Sequence, residues 1–206
     1  CPSLPVTLYH LVFRMTETIV VSRSKDGKSC SHPFDEAGSR RGSAAVVRND
    51  KVYLLYRADD RSPDLKWGRT CRIGLAHSDD GMNFTRHPEP VLYPDNDPWK
   101  KYEWEGGCED LHIIEGEDGT YSMNYTTWNG GADTLSVATS RDLIHWVKHG
   151  PAFQKAAPEK VHGSRSGVVI SRLEGNRLIA TKSNGKYWMY YTHPCALAWS
   201  EDCMRQ

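Results

Sequence analysis

Glu109 and Asp110 stand side by side after two glycines, in Gly106-Gly107-Cys108-Glu109-Asp110, and a short apolar run with Leu111, Ile113 and Ile114 follows. A carboxyl group at the mouth of a partly buried strand can hold a proton near working pH and pass it to a departing oxygen, because burial disfavours the carboxylate. The glycines allow a tight bend or a close approach to something bulky. Successive side chains of a strand point to opposite faces. The pattern therefore predicts that Glu109 and Asp110 look in different directions and have different tasks, one facing a cleft and the other the protein. The plain alternative is a solvated acidic turn ahead of a strand, since carboxylates are mostly surface groups. Cys108 and His112 make a poor nucleophilic pair, because residues four apart on a strand lie far apart in space.

The chain that must position this pair has 206 residues, 38% hydrophobic and 25% charged, an ordinary globular composition with enough apolar side chains for a core. Lys+Arg and Asp+Glu both number 26. A formal charge of zero gives no global field to attract nucleic acid or an anionic membrane, and neither is expected as a partner. No apolar run is long enough to span a bilayer. Residues 4–12 lack the basic start and small-residue cleavage pattern of a signal peptide. The six cysteines, Cys1, Cys30, Cys71, Cys108, Cys195 and Cys203, are widely and irregularly spaced with no Cys-x-x-Cys pair. Free thiols in a reducing, cytoplasmic compartment are expected, with neither a zinc ribbon nor a disulfide scaffold. The Asn83 and Asn124 sequons fall on strand segments and are read as chance. No metal or organic cofactor is implied, and no glycine-rich loop leading into a helix suggests a nucleotide.

Strands are the dominant pattern. Residues 18–22 form a candidate strand in a weakly patterned N-terminal segment, 1–33. Strands then read at 44–47, 51–57, 72–77 and from 83. The order returns at 111–114, 121–127, 134–139 and 145–147, and again at 168–170, 178–181, 187–192 and 196–199. Ala-x-Ser-x-Asp occurs at 76–80, 138–142 and 198–202, so Ser78, Ser140 and Ser200 stand 62 and 60 residues apart. Four strands repeated at a fixed period is the pattern of propeller blades, which bury their faces by stacking. The expected fold is all-β, with units at 34–104, 105–160 and 161–206. A β-sandwich is the competing architecture. The tryptophans are expected to fill interfaces between units, some of them flooring a sugar site.

The chain resembles glycoside hydrolase family 130, the inverting β-mannoside phosphorylases built on a five-bladed β-propeller. The resemblance spans 34–199. It rests on Val52-Tyr53-Leu54-Leu55-Tyr56-Arg57-Ala58, on Arg72-Ile73-Gly74-Leu75-Ala76, and on Tyr102-Glu103-Trp104-Glu105-Gly106-Gly107-Cys108-Glu109-Asp110. Val137-Ala138-Thr139-Ser140-Arg141-Asp142-Leu143 and Gly185-Lys186-Tyr187-Trp188-Met189-Tyr190 continue it. The resemblance implies a propeller, here incomplete with three to four blades.

It also implies that Asp110, matching the aspartate of the family's Glu-Asp-Pro-Arg motif, is the general acid, acting through a mannose hydroxyl. Inorganic phosphate would be the nucleophile, so no carboxylate base is needed, unlike an ordinary inverting glycosidase. Arg72, Arg165, Lys182 and His193 are the candidate phosphate-binding residues, since cations and above all guanidinium forks suit phosphate. Glu109, Tyr102, Asn129 and Asp60 are the candidate sugar contacts. Arg57 is read as a brace for Asp59 or Asp60. Leu111-His112 stand where relatives have Pro-Arg, which frees the backbone and removes a cation beside the acid.

The expected reaction is phosphorolysis of a β-1,4-linked mannoside to mannose 1-phosphate, with the oligosaccharide and phosphate as partners and homo-oligomerisation left open. Two alternatives stand beside it: a β-mannoside hydrolase in which a carboxylate such as Glu109 activates water, and a degenerate propeller that binds carbohydrate without turnover.

Overall fold

A computed structural model of the chain describes residues 43–192 and 195–202. The segment 1–33, its candidate strand at 18–22, and His193 lie outside the described residues. The fold is all-β. Helical structure among the described residues amounts to α1 (Lys100–Glu103) and one 3₁₀ turn (Pro158–Lys160).

Alternating apolar residues pair the strands into antiparallel meanders. The first joins β1 (Ser43–Arg48), β2 (Lys51–Arg61), β3 (Arg69–Ser78) and the short β4 (Thr85–Arg86). The second joins β5 (Gly107–Glu115), β6 (Tyr121–Trp128), β7 (Asp133–Ser140) and β8 (Val147–Pro151). They meet through one parallel bridge between Cys71 and Gly107.

The third pass of the sequence is arranged differently. β9 (Arg165–Val169) pairs with β13 (Lys186–Thr192), which also pairs with β12 (Lys182–Ser183) and β14 (Ala196–Ser200). β10 (Ser171–Glu174) and β11 (Arg177–Ala180) form a hairpin that touches β5 at Glu115.

The sequence repeat has a physical cause. At the end of β3 the Ser78 hydroxyl accepts from the amides of Asp80 and Gly81, and Asp80 accepts from the amides of Met82 and Asn83. At the end of β7, Ser140 accepts from Asp142 and Leu143, and Asp142 from Ile144 and His145. Ser200 again accepts from the Asp202 amide. The motif is a side-chain-capped turn that satisfies orphan amides where each third strand ends. The same turn explains a correction: the strand expected from residue 83 begins only at Thr85, because Asn83 donates its amide and its side chain to Asp80.

Two apolar clusters hold the sheets together. One packs Leu55, Ile73, Cys108, Met123 and Tyr125 between the two meanders. The other packs Ile114, Leu135, Phe153 and Met189 between the second meander and the β13 sheet. Among the described residues no helix is long and apolar enough to cross a membrane.

Candidate active site

The site begins with an irregularity in β5. Gly107, Cys108 and Glu109 pair regularly with Trp128, Thr127 and Thr126, and then the register slips so that His112 pairs with Asn124. One extra residue on β5 makes a β-bulge. Within it Asp110 has φ +50, a left-handed conformation that aspartate tolerates better than most residues.

The bulge overturns strict alternation. Glu109 and Asp110 reach the same two guanidinium groups. Arg165 Nη2 is 2.9 Å from Glu109 Oε1 and 2.8 Å from Asp110 Oδ2. Arg57 Nη1 is 2.5 Å from Glu109 Oε2 and 4.0 Å from Asp110 Oδ1. The solvated-turn alternative fails with it, since Glu109 is buried and Asp110 only partly exposed.

The cluster extends on both sides. Arg165 Nη1 lies 3.4 Å from Asp133 Oδ2. Arg57 Nε lies 3.5 Å from Asp59 Oδ1, and the buried Asp59 also takes Arg69 at 3.0 Å and the Cys71 thiol at 3.2 Å. Four carboxylates, Asp59, Glu109, Asp110 and Asp133, thus face three guanidiniums, Arg57, Arg69 and Arg165. Fully ionised, the set carries one negative charge in excess.

The backbone around the pair is tightly made. Gly107 has φ +103, and a Cβ there would collide with the Cys71 backbone; the Cys71 amide donates to the Gly106 carbonyl at 2.8 Å. The Ser166 amide donates to Thr126 Oγ1 at 3.2 Å, which fastens β9, and with it Arg165, over β6. Beneath the site Glu103, fully buried, holds Lys148 at 2.6 Å and receives the Tyr125 hydroxyl at 3.2 Å.

Burial pushes the Glu109 carboxyl above its usual range; Arg57 and Arg165 pull it back, while Asp110 and Asp133 push it further up. Burial works against the charges of Arg57 and Arg165, and their carboxylate partners keep both firmly protonated. Burial drives the Cys71 thiol to about 12, so it stays a protonated donor to Asp59. His112 is pushed down by burial and sits as a neutral ring.

Of the residues named from sequence, Asp110, Glu109 and Arg165 come together. Arg72 and Asp60 pair with each other at 2.7 Å, with the Arg72 guanidinium 5.5 Å from the Tyr93 ring centre. Arg72 stands opposite Ala58 in the β2–β3 register, so it takes the other sheet face from Asp59 and Cys71.

Lys182 stands apart from this group. It pairs with Tyr187 on β13, whereas Arg165 pairs with Thr192, five residues along, roughly 17 Å at strand spacing. The exposed lysine lies over the Tyr187 ring and away from Arg165, beside which a shared phosphate would need it. Tyr102 packs its ring 6.1 Å from that of His162. Asn129 closes the β6–β7 turn, accepting from the amides of Gly131 and Ala132 and donating to the Lys101 carbonyl.

Asp59 and Asp133 do not stand out in the sequence, and Arg57 reads there as a brace alone. The available signal is the set of charges closing the apolar run of β2, Arg57 and Asp59 two apart on one strand face. Among the described residues no group of His, Cys, Asp or Glu is arranged to hold a metal ion. Cys71, Cys108 and Cys195 are free thiols.

Carboxylates gathered at a strand mouth of an all-β scaffold form the kind of site that carbohydrate-cleaving enzymes use. Comparison with known proteins gives the family. Residues 28–204 match the family model for glycoside hydrolase family 130, described as β-1,4-mannooligosaccharide phosphorylase. A curated relative, the 1,2-β-oligomannan phosphorylase of Thermoanaerobacter sp. (strain X514), is 32% identical over 161 residues, 73% of this chain and 51% of its own.

Two solved structures superpose with a TM-score of 0.74, each over 81% of this chain and 47% of theirs. One, 42% identical, comes from work describing glycoside hydrolases within this family of mannoside phosphorylases that target β-1,2 mannosidic linkages in Candida mannan. The other, 43% identical, is a glycosyl hydrolase from Bacteroides ovatus. The chain belongs to glycoside hydrolase family 130. It spans about half the length of the curated relative and slightly less of the solved chains.

Proposed function

We propose that this chain carries the proton donor of a β-mannoside-cleaving enzyme, with Asp110 as the general acid and water as the acceptor of the released mannosyl unit. The observation that carries the reading is the charge of the cluster. Arg57 and Arg165, the guanidiniums beside Asp110, are each already neutralised by at least two carboxylates. An incoming phosphate would have to displace those partners inside a site that has no surplus of positive charge even when Asp110 holds its proton, whereas a neutral water would not.

On this reading hydrolysis, an alternative at the sequence level, is placed ahead of the phosphorolysis expected there. Inverting hydrolysis uses a second carboxylate to activate water. Glu109 has both oxygens on arginines and serves to hold Arg57 and Arg165 in place. Asp133, more exposed and held at 3.4 Å, is the described carboxylate best placed to meet a water. The β-1,2 linkage is preferred over the β-1,4 linkage read from the sequence, because the curated relative and the 42% identical structure are both described with β-1,2 mannosides.

A second reading, phosphorolysis, is supported by the name of the curated relative and by the closeness of Arg165 to Asp110. Incubation of the full-length protein with β-1,2-mannobiose, with and without inorganic phosphate, separates the two by product: free mannose or mannose 1-phosphate. The three sequence units, 34–104, 105–160 and 161–206, are read as blades of a propeller.

A further inference from the structure

Trp67 is 42% exposed, yet it is fixed from several sides. Its loop between β2 and β3 is closed by backbone hydrogen bonds from Ser62 to the Gly68 carbonyl and from Gly68 to the Leu65 carbonyl. The Lys66 amide donates to Glu105 Oε2 at 2.9 Å, tying the loop to the segment that leads into Gly106 and Gly107. The indole packs against Gly130, where a Cβ would come 2.7 Å from Nε1. Its ring centre is 5.0 Å from that of Trp128, at 43°. A large aromatic surface, held rigid while still open to solvent, is unlike a core residue, which would be covered, and unlike a stray surface residue, which would be unsupported.

Its position follows from the register. Trp128 pairs with Gly107, and Thr126 with Glu109. Trp128 therefore shares a sheet face with Thr126 and Glu109, two residues further along, about 7 Å at strand spacing. That separation is of the order of one pyranose ring. A tilted indole pair presents an apolar floor, and a mannoside offers an apolar C–H face with hydroxyls around it. Glu105 and the Lys66 ammonium, which lies 5.0 Å from the Trp67 ring centre, border the floor with polar groups that can meet those hydroxyls.

We propose that Trp67 and Trp128 form an aromatic subsite for a second sugar ring, one unit away from the bond that Asp110 protonates, so that the enzyme prefers mannosides of three or more units. The proposal rests on the reading of the site as one for β-mannosides.

The test is titration calorimetry on the full-length protein carrying Asp110→Asn to stop turnover, with methyl β-mannoside and β-1,2-mannotriose as probes, alone and combined with Trp67→Ala or Trp67→Tyr. The expected result is that mannotriose binds more tightly than methyl β-mannoside. Trp67→Ala should lower mannotriose affinity by about tenfold, the scale of one lost aromatic contact. Methyl β-mannoside binding should stay unchanged, and Trp67→Tyr should restore most of the loss. Equal mannotriose affinity with and without the Trp67 indole overturns the subsite while leaving the reading of the active site intact. An equal loss for both sugars also overturns it, since that is the mark of a disturbed fold. Binding of neither sugar by the protein with Trp67 intact overturns both.

Discussion

Arg165 Nη2 lies 2.8 Å from Asp110 Oδ2 and comes from a different sheet, so the Asp110 side chain is held by an element that folds onto it from outside its own meander. Arg165 also bridges to Glu109 and Asp133, and its strand is fastened over β6 by the Ser166 amide. The arrangement of the candidate site thus depends on how β9 docks on the second meander as much as on β5 itself.

Replacing Asp110 by Asn should leave the fold intact, because an amide oxygen can still accept from Arg165, and should abolish proton donation. A rate loss of about 10²- to 10⁴-fold is expected on mannobiose. The loss should be much smaller on an aryl β-mannoside whose leaving group departs without a proton. Initial rates on the two substrates, with circular dichroism to check folding, make the comparison.

Arg57→Met should destabilise the protein by about 3–5 kcal/mol at neutral pH, because it strips Glu109 of its nearest countercharge inside the cluster. Arg57 lowers the Glu109 carboxyl against the upward push of burial, so without it the folded-state value rises further above the ordinary 4.5. A raised carboxyl contributes stability that is present below the unfolded value and is lost as pH rises through the folded one. The variant should therefore lose more stability at pH 8 than at pH 5. Denaturant midpoints at the two pH values decide it.

The repeated turn should govern the acid limb of stability. Burial nudges the Asp142 carboxyl up, but the His145 side chain and the amides of His145 and Ile144, with Ser140, hold it well below its usual 3.8. Its contribution is present above the unfolded value and is lost as pH falls through the lower folded one. Asp142→Ala should cost about 1 kcal/mol at pH 7, with the difference from the parent shrinking below pH 3.8 in acid-unfolding curves.

Gly107→Ala should cost about 1–3 kcal/mol from backbone strain and displace the bulge. Activity should fall with it, since the Cβ would press on Cys71, whose thiol supports Asp59. Gly131→Ala, where the nearest atom is 3.6 Å away and φ is ordinary, is the matched control and should change neither melting temperature nor rate.

Most of the strand order is legible in the sequence, because alternation and the Ser-x-Asp turns are local signals. The pairing of β9 with β13 is not, because the hydrophobic pattern of 161–206 fits several partners equally well. Asp110 stands out through its motif, but its direction does not: alternation puts it opposite Glu109, and only the register slip after Glu109 shows the extra residue. Arg57 and Asp59 look like an internal brace because the third member of their group, Glu109, is remote in sequence and comes near only through the fold. The separation of Lys182 from Arg165 is not legible either, because a cation's place in the sequence says nothing about which end of a neighbouring strand it will lie beside.

The measurement that bears most directly on the central claim is product analysis of β-1,2-mannobiose cleavage by the full-length protein and by its Asp110→Asn variant, in phosphate-free buffer and in buffer with inorganic phosphate. Free mannose is expected at the same rate in both buffers, and none from the variant. Mannose 1-phosphate formed only when phosphate is present would contradict that claim, and so would undiminished cleavage by the variant.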